Sequence, residues 1–439
     1  MDGTKTMSGE IGSGGRKQRL SKDRKTAPQP EITVDAAVVG GGPAGLAAAT
    51  ALAAVGLCVA MVDRESAEKR TEAGFDGRTT AITYGSANVL KGIGAWDGME
   101  PHAQPIVATD VVDRFSPIHL LVDREAIGDH PYGFNVENGY IRRALIDRFR
   151  SFPRSKDLSP CSIEAIDTTD EAAVITLAGG RVVRADLLIG ADGRGSMVRK
   201  AAGIRARRWD YDQTALVFNI RHEKPHQGIA VEHLMDGGPF AIVPMTDDSD
   251  GYRSAIVWCE RRADAPAYLS LPNDRFDAEV EWRAAGRLGW IRSYGQRFSY
   301  PISGLHADRY AAPRIALAGE AAHAVHPIAA QGLNLSIRDA AALAEVIAGA
   351  KRDGADIGTM GVLKAYERWR RFDTLQTIAY TDTFLRVFLT RRPGIRLARN
   401  AVLGAINASL PLKRRIIRDA MGFAGPQRPS LMNGLLPHS

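Results

Sequence analysis

Cysteine is scarce: Cys58, Cys161 and Cys259 are the only three in 439 residues, and none belongs to a C-x-x-C pair. A disulfide framework and a zinc–thiolate site are thereby excluded, and a reducing cytoplasm is the expected setting. Histidine offers no metal site either. His323 and His326 stand three apart with Glu320 nearby, but Pro327 opens a loop after them and no further His/Cys cluster accompanies them, so no metal is expected. Ser196 lies outside any Gly-x-Ser-x-Gly elbow, which argues against a hydrolase nucleophile. The charge-free stretch at residues 36–62 holds 27 positions, yet Gly40, Gly41, Gly42 and Pro43 would break a membrane-spanning helix near its start.

Acidic charge is short at both ends of the chain. The formal +7 divides into +4 over residues 1–30, +7 over 391–424 and +1 from Arg428, which leaves −5 for 31–390. A basic excess confined to the ends argues against a nucleic-acid groove, and no zinc-finger or RNA-binding signature accompanies it. Residues 1–30, rich in Gly, Ser, Lys and Arg, read as a disordered basic leader rather than a signal peptide. Hydrophobic content of 45% with 24% charged residues fits a globular chain, and the length fits two or three domains.

What is present begins at residue 34. A β-rich run leads into Gly40-x-Gly42-x-x-Gly45, an Ala/Leu-rich helix and a second strand ending before Asp63, eighteen residues beyond Gly45. In this nucleotide fingerprint Gly40 permits the turn, Gly42 lets backbone approach a pyrophosphate and Gly45 allows close helix–strand packing. The helix N-terminus then faces phosphates, and Asp63 can accept hydrogen bonds from a ribose. NAD and FAD both satisfy this pattern, and glycine turns also occur without ligands. A second element, DLLIGADGRGSMVR (186–199), delivers Asp192 and Gly193 to a turn; alone it reads as a β-turn chosen for backbone reasons. A third, residues 316–347, runs through Gly319-Glu320 and Pro327 to Gln331-Gly332-Leu333-Asn334 at the start of a long amphipathic helix.

Taken together, these three elements in this order resemble the single-component FAD-dependent aromatic hydroxylases, over roughly residues 32–424. DGRTTAITYGSANVLKGIGAW (76–96), FNVENGYIRRAL (134–145), HQGIAVEHLMDGGPFAIVP (226–244) and AAQGLNLSIRD (329–339) resemble the ubiquinone-biosynthesis branch more closely. That family usually has Asp where Glu320 stands and Gly where Ala330 stands. The resemblance implies an FAD monooxygenase that hydroxylates a polyprenylated phenol or methoxyphenol with O2 through a flavin C4a-hydroperoxide. Reductant would be NAD(P)H or an external electron donor, since a second complete glycine fingerprint is lacking. Peripheral contact with the cytoplasmic membrane and a ubiquinone-biosynthesis complex are the implied partners. Alternatives are a hydroxylase of small soluble aromatics, a halogenase or prenyl reductase, and a catalytically silent flavin-binding subunit; the absence of a W-x-W-x-I-P segment disfavours the halogenase.

Carried onto this chain, the resemblance assigns Gly40, Gly42, Gly45, Asp63 and Arg64 to the ADP half of FAD and Arg78 to the pyrophosphate and ring entrance. Asp192 and Gly193 would serve the nucleotide, Gly319 and Glu320 the ribityl chain, and Gln331 the loop beside it. Pro327, Gly332, Leu333 and Asn334 would stand at the reacting ring. There the helix N-terminus offers N–H donors and partial positive charge where reduced flavin is negative.

Residues 211–260 alternate apolar and polar positions and predict four antiparallel strands, whose inner face, with Phe240 and Pro244 as substrate contacts, would roof the flavin. The expected fold class is α/β: an FAD-binding Rossmann-type domain from 31–110, 136–210 and 296–350, and a mostly antiparallel substrate domain from 111–135 and 211–295. C-terminal helices would fill 351–424, before a tail at 425–439. The basic residues of 391–424 are interleaved with aliphatic ones and suggest an interfacial element.

Overall fold

The computed structural model describes residues 31–71, 78–113, 119–123, 128–390, 393–423 and 428–437. The leader expected at 1–30, and Arg391 and Arg392 of the basic stretch, lie outside these. The chain opens with β1 (Ile32–Val39), α1 (Pro43–Ala54) and β2 (Val59–Val62), followed by a short α2 (Ala67–Thr71). β3 (Thr79–Thr83), α3 (Tyr84–Gly92), β4 (Gln104–Ile106), β5 (Ala108–Asp113), β6 (His119–Val122) and β7 (Gly133–Glu137) come next, then α4 (Asn138–Arg150). β8 (Ser155–Asp157), the hairpin β9 (Ile163–Thr168) and β10 (Ala173–Leu177), β11 (Val182–Gly190) and α5 (Met197–Ala201) complete the first half.

The second half begins with the four strands that alternation predicts: β12 (Ala206–His222), β13 (Ile229–Leu234), β14 (Pro239–Pro244) and β15 (Tyr252–Arg261). α6 (Ala265–Leu269), α7 (Asn273–Ala284) and β16 (Ile291–Ala307) follow, then the short strands β17 (Ala311–Ala312), β18 (Ile315–Leu317) and β19 (His323–Ala324). The C-terminal part is helical: α8 (Gln331–Arg352), α9 (Met360–Leu389), α10 (Pro393–Ala408) and α11 (Leu410–Arg418).

These strands form two large sheets and a small one. The first has the order β17-β18-β11-β1-β2-β8, with the β9–β10 hairpin attached to β11; β18, β11, β1, β2 and β8 run parallel. Its central strands are buried on both faces, as a parallel sheet covered by helices requires, and β2 is apolar at every position (VAMV). The second sheet, β19-β16-β12-β15-β14-β13-β5-β6, is antiparallel apart from the β13–β5 pair. The third is β3-β7-β4. Register explains how the large sheets are tied together. β12 and β16, each 17 residues long, pair from Ala206↔Ala307 to His222↔Ile291 with register shifts between Asp210 and Gln213 and between Val217 and Asn219, so positions 210/211 and 295/296, where the sequence suggested boundaries, are irregularities within the two strands.

The core of the first sheet is made close-packed by small residues. α1 buries every residue from Gly45 to Ala53, most of them alanine, which lets it sit between the sheet and α8 at short range.

Candidate functional site

Val62, Val39, Gly190 and Leu317 stand in one row across β2, β1, β11 and β18. The loops that follow them carry Asp63, Gly40, Asp192 and Gly319, so three sequence elements separated by more than a hundred residues emerge side by side at the carboxyl edge of a parallel sheet. Ligands of open α/β sheets bind there.

The glycine loop has the geometry its spacing predicts. Gly40 has φ +112°, and a Cβ on Gly45 would lie 1.9 Å from the Gly40 carbonyl oxygen; α1 approaches β1 as closely as backbone allows. Above Gly42, Gly193 and Gly332, by contrast, a Cβ would meet nothing within 4 Å. Both α1 and α8 start without a side-chain cap and without an acidic residue in the first turn, leaving N–H donors for a ligand. Open space over these glycines and two uncapped helix starts fit a pyrophosphate at α1 and a ring that gains negative charge at α8. FAD has both parts.

Several polar groups nearby are committed to shaping the loops. Asp63 accepts from the Gly41 N–H at 2.5 Å and the Glu65 N–H at 2.7 Å, and an ionised carboxylate with about four lone-pair sites can still accept from a ribose. Arg64 is exposed beside it. Asp192 accepts from the Ser196 hydroxyl and from the Met197 and Val198 N–H groups, fixing the start of α5. Glu320, about half exposed, pairs with Arg194 at 3.0 Å, and Arg194 also holds Ser303. Arg78 is exposed, its guanidinium 5.5 Å from the Tyr300 ring centroid. Arg70 escaped the sequence reading. It is buried, donates to the Gly41 carbonyl oxygen at 3.0 Å, and leaves its Nη2 without a hydrogen-bond partner, 3.7 Å from Asp157. Nothing in the short surface helix α2 would have singled it out.

The α8 entry is built from farther away. Pro327 and Leu333 are partly covered and Gly332 is exposed to the cleft, whereas the Asn334 side chain is fully buried and bridges elements. Its Oδ1 accepts from the Thr83 N–H at 2.9 Å, and its Nδ2 donates to the Ala81 and Ala330 carbonyls at 2.8 Å each. Gln331 donates to the Ala329 and Ala420 carbonyls. Ala329 and Ala330 both occupy the left-handed region, at φ 60° and 51°. His326 is buried, and burial pulls its pKa down to about 4. In the neutral ring Nδ1 accepts from the Ile328 N–H at 3.1 Å, so Nε2 carries the proton and donates to Gln213 Oε1 at 3.0 Å.

Behind this loop lies a buried ionic network that no spacing or motif signals. Asp339 is fully buried; it accepts from the Gly319 N–H at 2.9 Å, from His323 at 2.7 Å and from Arg370 of α9 at 2.7 Å. Burial alone would raise its carboxyl, but His323 and Arg370 outweigh that and hold it below its ordinary value. Asp373 is treated likewise: burial opposes ionisation, Arg338 and Arg370 prevail, and its pKa falls to about 2.

Of the substrate contacts expected from sequence, Phe240 is a correction. It packs edge-to-face on Trp258 and joins Leu216, Phe218, Ile256 and the α7 residue Phe276 on the face of the second sheet covered by α6 and α7. Pro244 shares its parity, and its carbonyl accepts from Asn135 at 2.9 Å. The opposite face presents Val217, Val257, Phe298 and Tyr300, with Val111 and Leu234 meeting Ile328 of the α8 entry. Successive residues of a strand point to opposite sides, so the inner residues are the odd neighbours Ala241 and Val243, not Phe240.

Comparison with known proteins agrees with this geometry. The FAD-binding domain family matches residues 33–377. The chain is 43% identical over 404 residues to a protein of Rhodospirillum rubrum named ubiquinone hydroxylase UbiL, covering 91% of this chain and 93% of that one. It is 31% identical to the 3-demethoxyubiquinol 3-hydroxylase of Escherichia coli K12, over 88% and 98% of the two chains. Among solved structures, p-nitrophenol 4-monooxygenase PnpA from Pseudomonas putida shares the fold, with a TM-score of 0.73 at 21% identity over 91% of this chain and 100% of that one.

Proposed function

The chain belongs to the family of flavoproteins built on the FAD-binding domain, and from that premise we propose that it hydroxylates a polyprenylated phenol or methoxyphenol in ubiquinone biosynthesis. It is an FAD-dependent monooxygenase. The observation that carries the reading is the row Val62–Val39–Gly190–Leu317, which brings the three loops to one carboxyl edge facing the uncapped start of α8. FAD, when bound, supplies the reduction and activation of O2. The residues do the rest: Gly42 and the α1 N-terminus hold phosphate, Arg70 adds positive charge to the Gly41 side, and the Gly332–Asn334 N–H groups favour the negative ring. The apolar wall of Val217, Val257 and Phe298 excludes water and accepts an aromatic substrate.

Disruption of the gene followed by mass spectrometry of quinone precursors tests this directly. Accumulation of a precursor lacking one ring hydroxyl is the expected result; an unchanged quinone pool overturns it. A yellow purified protein without phenol-dependent O2 uptake would mark a silent flavin-binding subunit instead.

A polyprenylated substrate resides in a bilayer, yet no helix among the described residues is long and apolar enough to cross one. Peripheral docking through the C-terminal helices is the reading we favour. Arg414, Arg415 and Arg418 are exposed on α11, Leu412 on the same helix is an exposed apolar side chain, and Val402 is another on α10. Three such charges at an anionic surface contribute on the order of 3 kcal/mol. Sedimentation with anionic vesicles at low salt should lose recovery when the three are neutralised; equal recovery overturns the docking, and recovery in a large protein complex would make a ubiquinone-biosynthesis assembly the partner.

A further inference from the structure

Strand parity sends Glu232 of β13 to the same face as Leu234, and Leu234 packs against Ile328 in the turn that enters α8. Two residues of extended chain place Glu232 roughly 7 Å along the strand from that contact. Its neighbours in the row are Val111 on β5 and Ala241 on β14, both uncharged. Among the described residues Glu232 has no hydrogen-bond or ion-pair partner. An unpartnered carboxylate in an apolar wall is costly unless something else supplies the partner.

The side chain is only half-buried, yet burial pushes its pKa up to about 7. Its parity with Val111, Leu234 and Ala241 puts it on the face of the second sheet that meets the α8 entry, away from the α6 and α7 side. Tyr132 lies within electrostatic reach of Glu232, Tyr380 and Arg338, Cys259 of β15 lies within reach of Glu232, and Asp113 is two residues beyond Val111. Burial raises both tyrosines and Cys259, keeping them neutral, and Arg338 is committed to Asp373 at 3.1 Å. Glu232 is therefore a group on this wall whose charge changes near neutrality.

Resting on the reading of the cleft as a phenol-hydroxylating site, we propose that Glu232 is the catalytic base that accepts the proton of the substrate's ring hydroxyl. The phenolic O–H bond breaks, the proton passes to a Glu232 oxygen, and the electron pair delocalises to the ortho and para carbons. Those carbons become better nucleophiles toward the electrophilic oxygen that the monooxygenase delivers. When the oxygenated ring, now a dienone, loses the proton at its new C–O carbon to solvent, the C–H electron pair restores the aromatic ring, Glu232 returns its own proton to the carbonyl oxygen, and the aromatic diphenol is complete.

The test compares purified holoenzyme with Glu232→Gln and Glu232→Asp, using a singly prenylated 2-methoxyphenol and measuring hydroxylated product, hydrogen peroxide, bound FAD and unfolding temperature. Wild-type kcat/KM should rise with pH through about 7, because the base must be ionised. Glu232→Gln should lose that rise and about 10²-fold in product at pH 7, with more peroxide per O2 consumed and with FAD content and unfolding temperature unchanged; Glu232→Asp should recover part of the rate. Equal product and an equal pH profile in Glu232→Gln would overturn the role of Glu232 while leaving the hydroxylase reading intact. No product from FAD-loaded wild type on this phenol would overturn the assignment together with the reading it rests on.

Discussion

Two helices, α1 and α8, meet at the Gly319 turn, where a Cβ would touch Ala44 and Ser336, and their starts are made by different means. At α1 the local sequence favours the conformation: Gly40 takes φ +112° without a side chain to object, Pro43 stands in the first turn where its missing N–H costs nothing, and Gly45 admits the Gly40 carbonyl. At α8 the local sequence opposes it. Ala329 and Ala330 are both left-handed, at about 1–2 kcal/mol each, and they persist because Asn334 is bracketed to β3, His326 to Gln213, and Asp339 to Gly319, His323 and Arg370. A turn that its own residues favour is visible in spacing, whereas a strained one requires distant contacts that over-determine it.

The comparison breaks most visibly at Asp339. Asp339→Ala leaves buried Arg370 with Asp373 as its remaining carboxylate and His323 without one, and should cost about 3–5 kcal/mol in denaturant unfolding; an unchanged midpoint would mean the α8 entry stands without the network. Next comes pH. His326 has a folded pKa near 4, below about 6.5 in the unfolded chain, so the unfolded state takes up the proton first and stability falls as pH drops from about 6.5 to 4. The loss is on the order of 3 kcal/mol for this group. His306 is lowered in the same direction, also to about 4, so His326→Gln should remove only part of the slope of stability against pH. A slope identical to wild type would exclude His326 as a contributor.

The α1 start is sharpened by a pair of variants. Gly45→Ala forces a methyl against the Gly40 carbonyl and should cost about 1–3 kcal/mol in the FAD-free protein. Gly42→Val enters open space, so the FAD-free midpoint should move by less than about 0.5 kcal/mol while stoichiometric FAD is lost. Retention of FAD in Gly42→Val would take the glycine loop away from the pyrophosphate. The smallest effect belongs to Ala330→Gly, where relief of the left-handed strain is nearly offset by the greater freedom of glycine in the unfolded chain. Unfolding stability should stay within about 1 kcal/mol of wild type, and a larger loss would show that the Ala330 methyl itself is packed.

The sequence by itself determined the three loops, their order, the α/β class and the four strands expected within residues 211–260. Those features rest on short-range rules: glycine where a Cβ would clash, proline in a first turn, apolar residues at a period of two, no charge along a strand buried on both sides. Tertiary structure alone decided which face of the second sheet meets the cleft. Alternation in PFAIVP separates Phe240 from Ala241 but carries no sign, because the sign depends on whether α7 or the α8 entry covers each side. It likewise decided the partners of Arg70 and Asp339 and left Glu232 without one among the described residues. A buried charge is stabilised or left unpaired by groups brought from any distance along the chain, as Arg370 is to Asp339 and Asp339 to Gly319, and no local propensity records that meeting.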